Sequence, residues 1–122
     1  MLAGRTNGLV RTLKKRREFL AAAKARRCAS PGLVLQVANR PDGEGLGVGF
    51  TASKKVGNAV SRNRAKRRMR ALAADILPRL GRPGQNYVLI ARQALLTRRF
   101  DDLRRDLEGC LSRIDRPRKA AQ

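Results

Sequence analysis

The chain has no histidine and no tryptophan among its 122 residues. Without histidine there can be no Ser-His-Asp triad, no Cys-His pair, no two-histidine ribonuclease site and no His-ligated zinc. Cysteine is scarce: Cys28 and Cys110 lie far apart in sequence, form no metal motif, and are expected as free thiols in a reducing cytoplasm. Aromatic residues make up only 3% of the chain, so its core must be aliphatic and modest. No apolar run approaches the roughly 18 residues of a membrane span, and the first ten residues lack the apolar stretch of a secretory signal. These absences predict a cytoplasmic protein. Its length suits one compact domain and is too short for two ordinary ones.

Acidic residues are also few, 9 against 29 Lys plus Arg, a formal net charge of +20. Such an excess repels itself and asks for an anionic partner, with nucleic acid the default. A membrane surface is the runner-up on charge alone. It would want a basic helix with bulky apolar anchors, and here only Met69 and Leu72 stand near the most basic segment. The charge is unevenly placed. Residues 1–40 carry ten basic groups and one acid, Glu18, and residues 45–74 carry eight basic groups and no acid. Residues 95–115 carry five of each sign. The nucleic-acid face is therefore expected in the first 75 residues, with the last helix structural.

Residues 1–11 read as a disordered basic arm, 12–115 as a single nucleic-acid-binding domain, and 116–122 as a frayed basic tail. Thr12 is a candidate cap for a helix over 12–27, which Ser30-Pro31-Gly32 ends. Strands are predicted over 33–38, 46–53 and 86–91, the last being the most hydrophobic and expected to be central. In the second strand Gly47 and Gly49 alternate with larger apolar residues. They leave one sheet face shallow, either for close packing or for a ligand backbone. Asn58 is a candidate cap for a helix to Leu80, in which Ala65, Met69, Leu72 and Ile76 form one narrow apolar stripe. A last helix is expected from Thr97, with Cys110 on its core face. The order α-β-β-α-β-α predicts a single-domain α+β sandwich: a small mixed sheet with helices on one face and an open, basic cleft on the other.

The run from Ser53 to Arg70 has a chemistry of its own. A strand ending in Lys54 and Lys55 meets a glycine turn, then a helix opening on Arg62-Asn63-Arg64, and six of the nine residues 62–70 are basic. Helix N-termini favour phosphate, arginine forks bind it bidentately, and asparagine can reach sugar or base. No acids are interleaved to relieve the repulsion, as they would be on an ordinary solvated face.

Lys55, Gly57, Ala59, Val60, Arg62, Asn63, Lys66, Arg67 and Arg70 fill, without a gap, a pattern that resembles the signature of the bacterial ribonuclease P protein subunit. The resemblance spans about residues 12–114 and implies a ribosomal-protein-like fold and a role beside a catalytic RNA. The protein would bind the ribonuclease P RNA subunit and the 5′ leader of precursor tRNA, and promote magnesium-dependent removal of that leader. It implies that the RNA carries the chemistry, that the protein alone is inactive and has no catalytic or metal-binding residue, and that Mg2+ is held mainly through the RNA, with no organic cofactor and no obligate protein partner. Carried over, Arg62, Asn63, Arg64, Lys66, Arg67 and Arg70 would dock on the RNA subunit. Phe19, Gln36, Lys54, Lys55 and Arg92 would line the leader cleft. Two departures stand out: Ala23 and Gln36 occupy places where the family often has aromatics, so this cleft is expected to rely less on stacking and more on charge and hydrogen bonds. The rivals are a structural RNA-binding protein of the ribosomal type, a DNA-packaging protein, and a nuclease using acid-bound metal. The last is weakest, because its acids would have to come from Asp42, Glu44 or the last helix, and none lies in the basic run 45–74.

Overall fold

The computed structural model describes residues 10–13, 16–23, 26–40 and 45–115. Its elements are β1 (Val10–Thr12), α1 (Arg16–Ala23), β2 (Arg26–Ala29), β3 (Leu33–Asn39), β4 (Leu46–Thr51), α2 (Ala59–Leu80), β5 (Gln85–Ala91), a 3-10 helix (Gln93–Leu96) and α3 (Phe100–Asp115). The strands form one sheet in the order β1-β4-β5-β3-β2, with β5 in the centre as its hydrophobicity predicted. β4 runs parallel to both β1 and β5, and β3 runs antiparallel to β5 and to β2. The α+β class and the mixed sheet are those read from the sequence.

Strand alternation sorts the side chains to two faces. Leu33, Leu35 and Val37 of β3, Leu46 and Val48 of β4, and Tyr87, Leu89 and Ala91 of β5 belong to one buried cluster. Against it lie Ala65, Met69, Leu72 and Ile76 of α2 and Leu103, Leu107, Cys110 and Leu111 of α3. The Tyr87 hydroxyl, carried into this core, accepts a hydrogen bond from the Arg82 backbone N–H at 2.8 Å.

Several expectations are corrected. The first helix is short, and Thr12 does not cap it. Val10 and Thr12 instead pair with Leu46 and Val48 along the edge of β4, and the Leu13 N–H continues the ladder to the Val48 carbonyl at 2.8 Å. Of the arm expected over 1–11, residues 1–9 lie outside the described residues, and Val10 and Arg11 are in strand. The tail at 116–122 also lies outside them. Arg26 and Arg27 leave the helix for β2, because antiparallel pairing with Val37 and Gln36 outweighs the helical preference of arginine, a few tenths of a kcal/mol per residue at most. Ser30-Pro31-Gly32 is the hairpin between β2 and β3, closed by a bond from Ser30 Oγ to the Leu33 carbonyl at 2.7 Å. β4 stops at Thr51 rather than Ser53, since Ser53 and Lys54 accept turn bonds from Val56 and Gly57. The last helix begins at Phe100, with the 3-10 helix occupying the chain before it.

The helices are also not all on one face. α1 packs on the opposite side of the sheet, where Phe19 and Ile90 surround a second cluster of Leu13, Ala38 and Val88. The two strand glycines make this possible. A Cβ on Gly49 would lie 2.7 Å from Phe19 ring carbons, and one on Gly47 would collide with Leu13, Asn86 and Arg40. The room they leave is filled by the protein's own side chains, so close packing accounts for both. The cysteines, distant in sequence, meet in space: the Cys110 thiol donates to the Cys28 carbonyl at 3.5 Å, and its burial and the neighbouring Cys28 thiol raise its pKa to about 12.

Gly49→Ala should lower stability by about 1–3 kcal/mol through overpacking against Phe19. Gly109→Ala, in the interior of α3 with nothing near its Cβ position, should raise it by roughly 0.5–1 kcal/mol; urea denaturation reads both. A thiol reagent at pH 8.5 should modify half-buried Cys28 and spare Cys110 until the chain unfolds. Because the folded state holds the Cys110 proton to about 12, against an ordinary value of 9, this group's contribution to stability is full below pH 9 and declines as pH rises toward 12.

Candidate nucleic-acid interface

α2 begins where its sequence says it should. Asn58 is extended and its side-chain oxygen accepts from the Ser61 N–H at 2.9 Å. Gly57 just before it has φ 146°, which an L side chain rarely adopts, so the glycine turn delivers the chain from β4 into the helix. The apolar stripe Ala65, Met69, Leu72 and Ile76 then turns inward, each residue fully buried.

That inward stripe dictates where the basic residues go. At 100° per residue, Asn63 and Arg67 point away from the sheet, Arg62, Lys66 and Arg70 flank one side, and Arg64 and Arg68 flank the other. Asn63, Arg64, Arg67 and Arg70 are exposed, and Arg62 and Lys66 are half-buried. The Arg62 Nε is shielded from solvent and has no hydrogen-bond partner. Arg70 stands 6.0 Å from the Phe50 ring centroid, a contact that steadies its stem without consuming its charge. Val60 is 75% exposed on the same outward face. All six residues assigned from sequence to the RNA subunit thus share one helix over about two and a half turns.

Acids are kept away from this surface. Asp75 pairs with Arg104 at 3.1 Å, Arg79 with Glu108 at 3.6 Å, and Arg98 with Asp106 at 2.9 Å. Asp101 and Asp102 pair within α3. These bridges link the second half of α2 to α3 and within α3, as expected of a structural last helix, and leave residues 62–70 without a described carboxylate partner.

The remaining sequence-assigned residues form a separate group. Phe19 is half-buried against the second face of the sheet. Gln36 is on that face, buried to 7% exposure, in register with Val88, Gly49 and Arg27. Lys54, Lys55 and Arg92 are exposed just past the ends of the parallel strands β4 and β5, so they share one end of the sheet. Arg92 is anchored there by a bond from Nη1 to the Ser30 carbonyl at 3.0 Å. Between them and Phe19 runs the row Thr51, Ile90, Val34 and Ala29, of which Thr51 and Ile90 are half-buried and Ala29 exposed. The structure therefore separates two basic regions: the outward side of α2, and the sheet end beside α1. Sequence reasoning missed Arg98 and Arg99, which the fold sets beside α2; the balanced charge of 95–115 concealed them.

A family model described as Ribonuclease P matches residues 10–115. The chain is 49% identical over 112 residues to the ribonuclease P protein component of Ruegeria pomeroyi, covering 89% of this chain and 90% of that protein. It is 46% identical over 107 residues to that of Paramagnetospirillum magneticum, covering 84% and 80%. Among solved structures it resembles the Staphylococcus aureus RNase P protein, with a TM-score of 0.71 and 26% identity over 85% of this chain and 94% of that one. A mutant of the same protein, described as defective in mRNA degradation activity, gives a TM-score of 0.72 at 25% identity over 92% of each chain.

Proposed function

Because this chain belongs to the ribonuclease P protein family and is a protein component of that tRNA-processing ribonucleoprotein, we propose that its two basic regions divide the work of the assembled enzyme. The outward side of α2, with Arg62, Asn63, Arg64, Lys66, Arg67 and Arg70, docks on the RNA subunit. The sheet end beside α1, with Phe19, Lys54, Lys55 and Arg92, receives the 5′ leader of precursor tRNA. The observation that carries this division is the segregation of charge: among the described residues the exposed arginines on the first half of α2 have no carboxylate partner, whereas Asp75, Asp101, Asp102, Asp106 and Glu108 each have an arginine. Unpaired guanidinium groups on a rigid helix suit the phosphates of a folded RNA. A shorter strip of lysines beside a half-exposed aromatic suits a single strand. Gln36 is a weaker contributor to the leader, since it is buried on the sheet face that α1 covers.

The protein's own part is binding and positioning. Among the described residues no group of three His, Cys, Asp or Glu side chains could hold a metal ion. The magnesium of the reaction is taken to be held mainly through the RNA. No described helix is long and apolar enough to cross a membrane.

Reconstitution tests the proposal. RNA-free protein should leave precursor tRNA intact in magnesium and support cleavage once a bacterial ribonuclease P RNA is added; the mRNA degradation attributed to the Staphylococcus aureus protein makes an mRNA a necessary second substrate in the protein-alone arm. Arg62→Ala with Arg67→Ala should weaken assembly with the RNA by about 1–3 kcal/mol per lost contact and lower the salt dependence by roughly one unit of slope each. Phe19→Leu with Lys54→Ala should reduce the preference for precursor over mature tRNA and leave assembly intact. An unchanged preference would move the leader elsewhere, and cleavage by RNA-free protein would overturn the division of labour.

A further inference from the structure

The side of α2 that faces α3 carries an open, shallow depression. Arg64, Arg67, Arg68 and Ala71 form one wall of a groove of about 530 Å³, and Arg98, Arg99 and Phe100, at the start of α3, form the other. Every polar side chain lining it is an arginine. Two of the five are fixed by the fold. Arg68 donates from Nη2 to the Arg98 carbonyl at 2.6 Å, and Arg98 meets Asp106 at two points, 2.9 and 3.0 Å. Arg64, Arg67 and Arg99 are exposed, and their side chains have no ion-pair or hydrogen-bond partner among the described residues. The acids nearest in sequence are engaged elsewhere: Asp101 with Arg104 and Asp102 with Arg105. The Arg68 Nε is buried without a hydrogen-bond partner.

We infer that this groove is an RNA-binding subsite for an unpaired nucleotide of the ribonuclease P RNA subunit, with Arg99, just before α3, as its contribution from outside α2. The chemistry is complementary on both counts. Arg64, Arg67 and Arg99 converge from two elements, so they can hold the phosphates on either side of one residue, and guanidinium forks bind such oxygens bidentately. The half-buried Phe100 ring and the Ala71 methyl supply an apolar floor against which a base can lie, and the fixed Arg68 and Arg98 border it. A double helix would leave that floor unused. The RNA subunit is favoured over precursor tRNA because Arg67 belongs to both the groove and the outward side of α2, whereas the proposed leader surface is at the end of the sheet beside α1. The inference rests on α2 docking on that RNA, and it enlarges the contact surface to the start of the segment 95–115, whose overall charge balance disguises it.

The test measures binding of the full chain to a transcribed bacterial ribonuclease P RNA across a salt series. Arg99→Ala should weaken binding about tenfold and reduce the salt slope by about one. Arg105→Ala removes an equal charge from α3 outside the groove, at a side chain 78% exposed, and should change affinity less than twofold. Arg99 is exposed and unpaired, so the variant should melt at the wild-type temperature, which circular dichroism checks. If Arg99→Ala matches Arg105→Ala while Arg62→Ala with Arg67→Ala still weakens binding, the groove is overturned and docking by α2 stands. If none of the three variants weakens binding, both fall. If Arg99→Ala spares the RNA subunit but weakens precursor tRNA binding by the assembled enzyme, the assignment to the RNA subunit is overturned.

Discussion

The seating of α2 on the sheet is the contact on which the rest depends. Six cations within nine residues repel one another, and nothing along that stretch of helix neutralises them. What holds the helix in place is the stripe of Ala65, Met69, Leu72 and Ile76 pressed against Leu35, Val48, Tyr87 and Leu89. Fully burying Met, Leu or Ile contributes about 1.5–3 kcal/mol each, which exceeds the repulsion of exposed charges screened by water and salt. The stripe also sets rotation. With those four residues inward, the arginines have no direction left except outward and to the two flanks.

Charge balance in the second half of α2 complements that seating. The bridges from Asp75 to Arg104 and from Arg79 to Glu108 join α2 to α3 across half-exposed side chains, where each is worth at most about 1 kcal/mol. Their larger effect is on where charge remains. Acids matched to the arginines of α3 leave the net excess concentrated toward the start of α2 and the end of the sheet. An anionic partner at those places relieves repulsion that the free protein must tolerate, so binding and stability are linked.

The second face shows how little material builds a separate surface. Gly47 and Gly49 remove two side chains from β4, and Leu13 and Phe19 fill the space, which brings α1 against β3 and β5. A helix of eight residues is marginal by itself. Here the ring of Phe19 over a glycine anchors it, and the same ring borders the half-buried row that leads to Lys54, Lys55 and Arg92. At Phe19 the packing contact and the proposed leader surface coincide, in contrast to α2, where the packing stripe and the basic residues occupy different sides of the helix.

The sequence by itself determined the α+β class, the central place of β5, the start of α2 at Asn58 and the family, because these rest on local signals: an apolar run, a cap with its glycine turn, and a spaced motif. It also determined which residues of α2 point outward, since the period of a helix is fixed. Only the tertiary structure decided that Arg26 and Arg27 lie in a strand and that Val10 and Thr12 pair with β4, because edge pairing is a bargain between distant segments. The meeting of Cys28 with Cys110, the filling of the β4 glycines by Phe19 and Leu13, and the approach of Arg99 to Arg64 and Arg67 are likewise invisible along the chain. Each joins elements whose separation in space is set by how helices pack across a sheet, and no periodicity or local propensity encodes that distance.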